Sequence, residues 1–480
     1  MPTRQHVAFP SKLAYGVGQV AEGLKNTAFG LFVLFYYNQV LGVPGSLCGL
    51  AMGIALLFDA VTDPLAGSLS DNWRSRFGRR HPFMYASALP LGIAFFGLFS
   101  PPALSEQGLF LWLLCFAVLT RSAMTLYHVP HIALGAELSD DFEERTTIVA
   151  WRQAFGYVGA LVAGGLAFLY YFSDAHGGRL NQAAYAPFAA VLAVGMILSI
   201  WVSAWGTRKE IPRLPVASPA TGESTLARLR SELAGAFRNA SFRWLFAGVL
   251  IVFVMVGVDA ALNLYMYEFF WELSGRQILL VTVASPIGMI AGTAFTRGLH
   301  RRFDKKLPLA FGTAGWAVGQ IVPVVLRLVE WFPANGTTAL IATLMSFKLV
   351  QGLVVQQALV TFGSMMADVA DEHELDSGRR QEGIFFGAVA FSGKAANGVG
   401  NIVAGVALDL IAWPRGQGIR SAADIPSETL VHLGIVYGPV VAGCAVVSVW
   451  CYTHYRLDRS RHQEILQQLV ARRAATPPAP

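Results

Sequence analysis

Asp59 and Asp63 stand four residues apart in the mostly apolar run Ala51 to Leu69. On a helix that spacing stacks both carboxylates on one face, about 6 Å apart. Neighbouring carboxylates repel unless a proton or a cation lies between them, so the pair predicts a cation-binding site. The alternative is that one carboxylate pairs with a basic residue of a neighbouring helix. Glu22, Lys25 and Asn26 interrupt an earlier apolar run, and Arg121, Tyr127, His128 and His131 a later one. Together they form a candidate substrate-binding cluster; the alternative is ion pairing inside the bundle, such as Glu22 with Lys25. Asp259, followed by Asn263 and Tyr265, is a further candidate for the cavity wall, or else a buried acid paired to Lys348. Asp71, Arg79 and Arg80 lie at the end of the aspartate run, with Arg74. They read as a gate latching two parts of the molecule, or as charges that only set topology.

The elements that must hold these residues follow from composition. Of 480 residues, 54% are hydrophobic and 14% charged, against roughly 25% charged in an ordinary globular domain. Mean hydropathy is +0.49. That is too little charge to solvate a water-soluble particle of this size, and it excludes disorder, a disulfide scaffold and a soluble enzyme. Twelve runs reach the ~20 residues that a spanning helix needs: 11–42, 46–70, 82–101, 107–137, 147–172, 185–206, 243–272, 277–299, 307–328, 337–368, 382–411 and 430–455. They are long and lack strand alternation, so the fold class is an all-α polytopic membrane protein, not a barrel. Inside a bilayer a charge at helix centre costs roughly 2.5–3.5 kcal/mol, so those named above need a reason to persist. Cys48, Cys115, Cys444 and Cys451 all fall inside apolar runs and read as packing residues.

Cations mark one side. Arg74, Arg76, Arg79 and Arg80, then Arg208, Lys209 and Arg213, then Arg301, Arg302, Lys305 and Lys306, then Arg379 and Arg380 occupy alternate loops. The positive-inside bias puts these loops and both termini in the cytoplasm of a cell whose plasma membrane holds the protein, a bacterial cytoplasmic membrane being expected. The longest break divides the chain into a six-helix bundle (1–206), a linker (207–242), a second bundle (243–455) and a tail (456–480). Leu226, Leu229, Leu233 and Phe237 recur at helical spacing in the linker, as an amphipathic surface helix or a solvated one. Arg-rich loops with an acid follow both the second and the eighth helix, an echo that fits two pseudo-symmetric 6+6 bundles.

The run Asp59-Ala-Val-Thr-Asp63-Pro64, continuing to Asp71 and through Arg79-Arg80-His-Pro82-Phe83, resembles the glycoside–pentoside–hexuronide:cation symporters of the major facilitator superfamily, which include the melibiose permeases. The sodium-dependent lysolipid symporters share the Asp-x-x-x-Asp-Pro signature. Asp368-Val-Ala-Asp371-Glu372 with Gly378 to Gly383, and Pro130, Glu137 and Glu144-Arg145-Thr146, extend the resemblance from residue 14 to about 400. The resemblance implies a major facilitator fold. It assigns the coupling cation to Asp59 and Asp63, a coupling lysine to Lys394 (a snorkelling or structural lysine is the alternative), and a pocket arginine to Arg152, which otherwise reads as a gate or packing residue. The chain departs from the sugar-binding pattern in two places. Gly23, beside Glu22, and His128 stand where the melibiose permeases carry acids, and an imidazole cannot act as an acceptor-only carboxylate.

The expected function is secondary active transport, a cation-coupled symport of a sugar or glycoside by alternating access. The alternatives are a lysolipid or another small organic solute, or proton-driven export. The coupling ion is Na+ or H+, and sodium at Asp59 and Asp63 is the one metal in view. No cofactor, no nucleic acid and no catalytic residue is expected; the partners are the bilayer and a small-molecule substrate, and the chain is expected to act as a monomer. No phosphate loop, nucleophile elbow or metal-spaced His/Cys set is present.

Overall fold

The computed structural model describes residues 6–214, 237–378, 382–416 and 418–475. Helices follow one another through short turns: α1 (Phe9–Phe35), α2 (Gly45–Asn72), α3 (His81–Leu98), α4 (Glu106–Glu137), α5 (Phe142–Leu166) and α6 (Tyr185–Thr207). After the linker come α7 (Ala240–Tyr265), α8 (Gly275–Arg302), α9 (Lys306–Leu328), α10 (Thr338–Ser377), α11 (Glu382–Leu410) and α12 (Ser427–Thr453), then a terminal α13 (Arg459–Ala475). Among the described residues, ten of these helices are long and apolar enough to cross a membrane. α1 and α11 are as long but fall outside that set, and they are the helices that carry Gln19, Glu22, Lys25 and Asn26, and Lys394, Asn397 and Asn401, into the middle of the molecule.

Local chemistry sets the ends. Ser105, Asp141, Asn239 and Thr337 accept from backbone N–H groups of the first turns of α4, α5, α7 and α10, and Ser274 with Gln277 forms a capping box on α8. α10 runs nine residues past the apolar segment read from the sequence, because it stops only at Gly378, whose φ of 72° a side chain would resist. The tail is helical and amphipathic: Leu457, Ile465 and Leu469 are buried and Leu466 is exposed. The linker residues 215–236, with the proposed amphipathic helix, and Arg379 and Arg380 lie outside the described residues; Phe237 packs on Phe242 and Phe246.

The two sets of six repeat each other. α1 packs on α5 and α6, α2 on α4, and α3 on α4 and α6; six helices later, α7 packs on α11 and α12, α8 on α10, and α9 on α10 and α12. The turns repeat as well. α1 and α7 both finish in a five-residue π-turn, Tyr36–Val40 and Met266–Phe270. In one turn Val43 N–H donates to Tyr37 O at 2.9 Å, and in the other Leu273 N–H donates to Tyr267 O at 2.8 Å. Gly42 (φ 81°) and Glu272 (φ 49°) occupy equivalent left-handed positions. Gly45 and Gly275, the first residues of α2 and α8, each lie against the backbone of the opposite half, at Gly405 and Phe168.

These contacts belong to the face away from the basic loops, where the halves are closed against each other. Asp409 accepts from Gly45 and Ser46 N–H at the start of α2 (both 2.8 Å), where the helix dipole favours an anion. Tyr265 OH donates to Asn38 Oδ1 (2.8 Å), Trp413 Nε1 donates to Gln39 Oε1 (2.7 Å), and Arg179 pairs with Glu268. Across the seam Phe35 meets Tyr265 edge to face and stacks on Phe269, and Trp413 braces both of those rings from within the second half. At the basic face no hydrogen bond or ion pair between described residues joins the halves.

Candidate functional site

Between the halves, α1, α2, α4, α7 and α11 enclose a cavity of about 460 Å³, lined by Asn26, Phe29, Arg121, Lys394, Asn397 and apolar residues such as Leu56. A larger hollow of about 1090 Å³ opens on the face away from the basic loops, around Gln39, Arg179 and Glu268. It is lined by none of the residues that contact the acids of α2, whereas Arg121 and Lys394, which pair with those acids, line the smaller cavity, so the chemistry belongs there.

The acid pair lies beside this cavity, behind Arg121 and Lys394 of its lining. Asp59 is 6% exposed, and both carboxylates are already ion-paired. Arg121 Nη2 donates to Asp59 Oδ2 at 3.1 Å, Lys394 Nζ donates to the same oxygen at 3.1 Å, and Lys394 also bonds Asp63 Oδ2. Thr125 Oγ1 donates to Asp59 Oδ1 (2.5 Å) and lies 2.9 Å from Asp63 Oδ1. The open reading of the sequence, a carboxylate paired to a neighbouring helix, is thus what this state adopts. From within the same half α4 holds Asp59 through Arg121 and Thr125, and from across the seam Lys394 of α11 reaches both acids. Arg121 is fixed further by Phe29, whose ring centroid lies 5.2 Å from the guanidinium carbon.

On α1 the residues Glu22, Lys25, Asn26 and Phe29 follow helical spacing. Asn26 is exposed and lines the cavity. Lys25 is buried with no hydrogen bond or ion pair to a described residue, in electrostatic reach of Arg121, Asp59, Glu22 and Lys394. Glu22 does not pair with Lys25: its Oε2 takes the Gln19 amide and lies 3.3 Å from His128 Nδ1 on α4. Arg152 of α5 lies beside Tyr15, and its Nε has no partner.

Several candidates are placed elsewhere. Tyr127 is fully buried, its hydroxyl over Gly18 beside Ser203 and His131, so it packs against α1 and α6 and does not line the cavity. Asp259 belongs to a chain inside the second half: Tyr437 OH donates to it at 2.7 Å, the Gln320 amide also donates to it, and Lys348 Nζ donates to Gln320 Oε1 at 3.1 Å. Lys348 therefore reaches Asp259 only through a glutamine. Asp71, Arg79 and Arg80 do not bridge the halves here. Arg80 pairs with Asp71 and Glu137, and Arg79 with Glu137, which staples the α2–α3 turn to α4. Glu144 takes Lys12 (2.6 Å), and Lys305 takes Asp368 (2.6 Å), again each within one half. Thr125 escaped the sequence reading, although Arg121 and Thr125 mirror the four-residue spacing of Asp59 and Asp63.

The profile of the family described as MFS/sugar transport protein matches residues 14–459. The chain belongs to that family of major facilitator transporters. It is 25% identical to the putative glycoside/cation symporter YagG of Escherichia coli (strain K12), over 97% of this chain and 95% of the relative. It is 24% identical to the inner membrane symporter YicJ of the same organism, over 96% and 94%. The solved structure of the nucleoside transporter NupG superposes with a TM-score of 0.59 at 16% identity, covering 93% of this chain and 98% of that one, a likeness of fold. The protein is a multi-pass membrane transporter of the symporter type and not an enzyme.

Proposed function

We propose that the chain carries a sugar or glycoside together with a cation, by alternating access, and that the described state is one closed on the face away from the basic loops. The observation that carries the reading is the Lys394 bridge. It is the one ion pair between described residues that joins the halves at the cavity, and it ends on an acid pair. A cation taken up at Asp63 does the neutralising work of Lys394 and releases α11 from α2. The freed ammonium then faces the cavity, where Asn26 and Asn397 offer the paired donors and acceptors that hydroxyl groups use. A cavity of about 460 Å³ is of the size that encloses a small solute. A half-loaded site leaves a charge uncompensated in low dielectric, so the loaded and the empty forms are the ones that rock.

Glu22, Lys25, His128 and Arg152 continue the polar cluster toward α5, while Asp259, tied to Tyr437 and Gln320, stays within the second half. One chain builds the whole cavity, so a monomer suffices. The positive-inside bias places the basic face and both termini in the cytoplasm of a bacterial cell. Asp71, Arg79 and Arg80 brace the cytoplasmic gate from within one half: their staple to Glu137 fixes the α2–α3 turn on α4 and is kept when that face closes. The relative named a glycoside/cation symporter supports both the solute class and the coupling.

The test is uptake of a panel of labelled glycosides into proteoliposomes under sodium and proton gradients, with counterflow as the control. Asp63→Asn is expected to lose accumulation by more than about tenfold and to keep counterflow, since only the coupled step needs the acid. Full accumulation by Asp63→Asn refutes the coupling site.

A further inference from the structure

The acid pair already holds a cation that cannot leave. Arg121 belongs to α4, in the same half as Asp59 and Asp63, and moves with them. It is 9% exposed, donates to Asp59 Oδ2 at 3.1 Å and packs on Phe29. Lys394 comes from the other half and is more open, with 34% of its side chain exposed. An entering ion can displace Lys394, but it must coexist with Arg121.

Sodium and a proton meet that constraint differently. A metal ion exchanges its water shell for several oxygens converging at once. Here Asp59 commits Oδ1 to Thr125 and Oδ2 to Arg121, and a guanidinium presents only donors where a metal needs acceptors. Two cations in one small site also repel each other. A proton needs a single carboxylate oxygen. Thr125 has one hydroxyl proton and lies within hydrogen-bond reach of both acids, so both contacts are hydrogen bonds together only when one carboxyl is protonated. The charged groups around Asp63 are Asp59 on its own helix, Arg121 on α4, Lys394 on α11 and Lys25 on α1; Glu22 is engaged with His128.

We infer that Arg121 is a tethered cation standing in for sodium at the Asp59–Asp63 pair, so that the site takes a proton on Asp63 and excludes sodium. The inference rests on the coupling reading above and names the ion that the coupling uses. The proton comes from water on one side, the Lys394–Asp63 pair opens with the ammonium still charged, and the proton returns to water on the other side. No other group changes its covalent state.

The test is the melting temperature of the full-length purified protein, titrated with NaCl against choline chloride at equal ionic strength. In the wild type the two curves coincide. Arg121→Gln gains a rise that grows with sodium by mass action, Arg121→Lys does not, and adding Asp63→Asn to Arg121→Gln abolishes the gain. A sodium-dependent rise in the wild type overturns the inference while leaving a cation site at the aspartates, and this arm does not depend on any variant folding. A folded Arg121→Gln, or Arg121→Met as the second variant, with no sodium response also overturns it. Failure of the coupling reading is seen separately, as Asp63→Asn proteoliposomes that accumulate solute like the wild type.

Discussion

Lys394 and Lys348 are both lysines in the middle of the bundle, and the structure uses them in opposite ways. Lys394 crosses from α11 to two carboxylates of the other half. Lys348 stays inside its own half and stops at Gln320, whose amide carries the contact on to Asp259. The first arrangement must break when the halves rock; the second travels with a single rigid half. A charge that spans the seam is therefore a switch, and a charge confined to one half is scaffold, although the ingredients are nearly the same.

Neutralising each lysine separates these roles. Lys394→Gln leaves Asp63 without its partner across the seam, and breaking a buried pair on one side costs up to about 3 kcal/mol where the pair is partly exposed. Gradient-driven accumulation in proteoliposomes is expected to fall more than about tenfold, with counterflow retained. Lys348→Gln removes one hydrogen bond to a neutral amide, worth about 1 kcal/mol. It should lower the melting temperature and leave accumulation within about threefold of the wild type. Equal losses of accumulation in the two variants would erase the distinction.

Glycines give the same comparison without charge. A β-carbon on Gly405 of α11 would meet Gly45 O of α2, across the seam; one on Gly288 of α8 would meet Leu349 O of α10, within a half. Gly288→Val is expected to destabilise folding, since overpacking costs typically 1–3 kcal/mol, read as a lower melting temperature. Gly405→Val should instead wedge open the face away from the basic loops. A cysteine placed at Gln39 should then react faster with a membrane-impermeant maleimide, with less loss of melting temperature than in Gly288→Val.

Much of this was legible in the sequence because hydropathy and charge are local. The twelve runs, the loop cations and the acid pair all follow from residues within a turn or two of one another. What was not legible depends on which way a helix faces. Arg121, Thr125 and His128 share one face of α4, turned to α1 and α2, while Tyr127 and His131 share another, turned toward Tyr15, Gly18 and Ser203. Composition alone put Tyr127 with the first group. The same limit hid the staple at Glu137: the charges of Asp71, Arg79 and Arg80 were plain, but whether their partner lay in the same half is a property of packing. α10 outran its apolar segment because a helix ends where its backbone is capped, not where its hydropathy falls.

The gentlest probe of the comparison is a pair of glutamates. Glu268 meets Arg179 across the seam at the face away from the basic loops, and Arg179 also donates to Leu273 O at 2.9 Å, so the α5–α6 loop is pinned to the turn before α8. Glu137 holds Arg79 and Arg80 within one half. Replacing either acid by glutamine keeps a hydrogen-bond acceptor and removes a charge, a change worth on the order of 1 kcal/mol at a partly exposed site. Only in Glu268→Gln does that energy bear on the balance between access states, because only that pair is made in one state and broken in the other. Maleimide labelling at position 39 should rise severalfold in Glu268→Gln, by the factor that about 1 kcal/mol represents, and stay unchanged in Glu137→Gln, whose effect is confined to the melting temperature. Labelling that rises equally in both would mean that charges within a half also set the access state, and that the seam is not where the switching energy is stored.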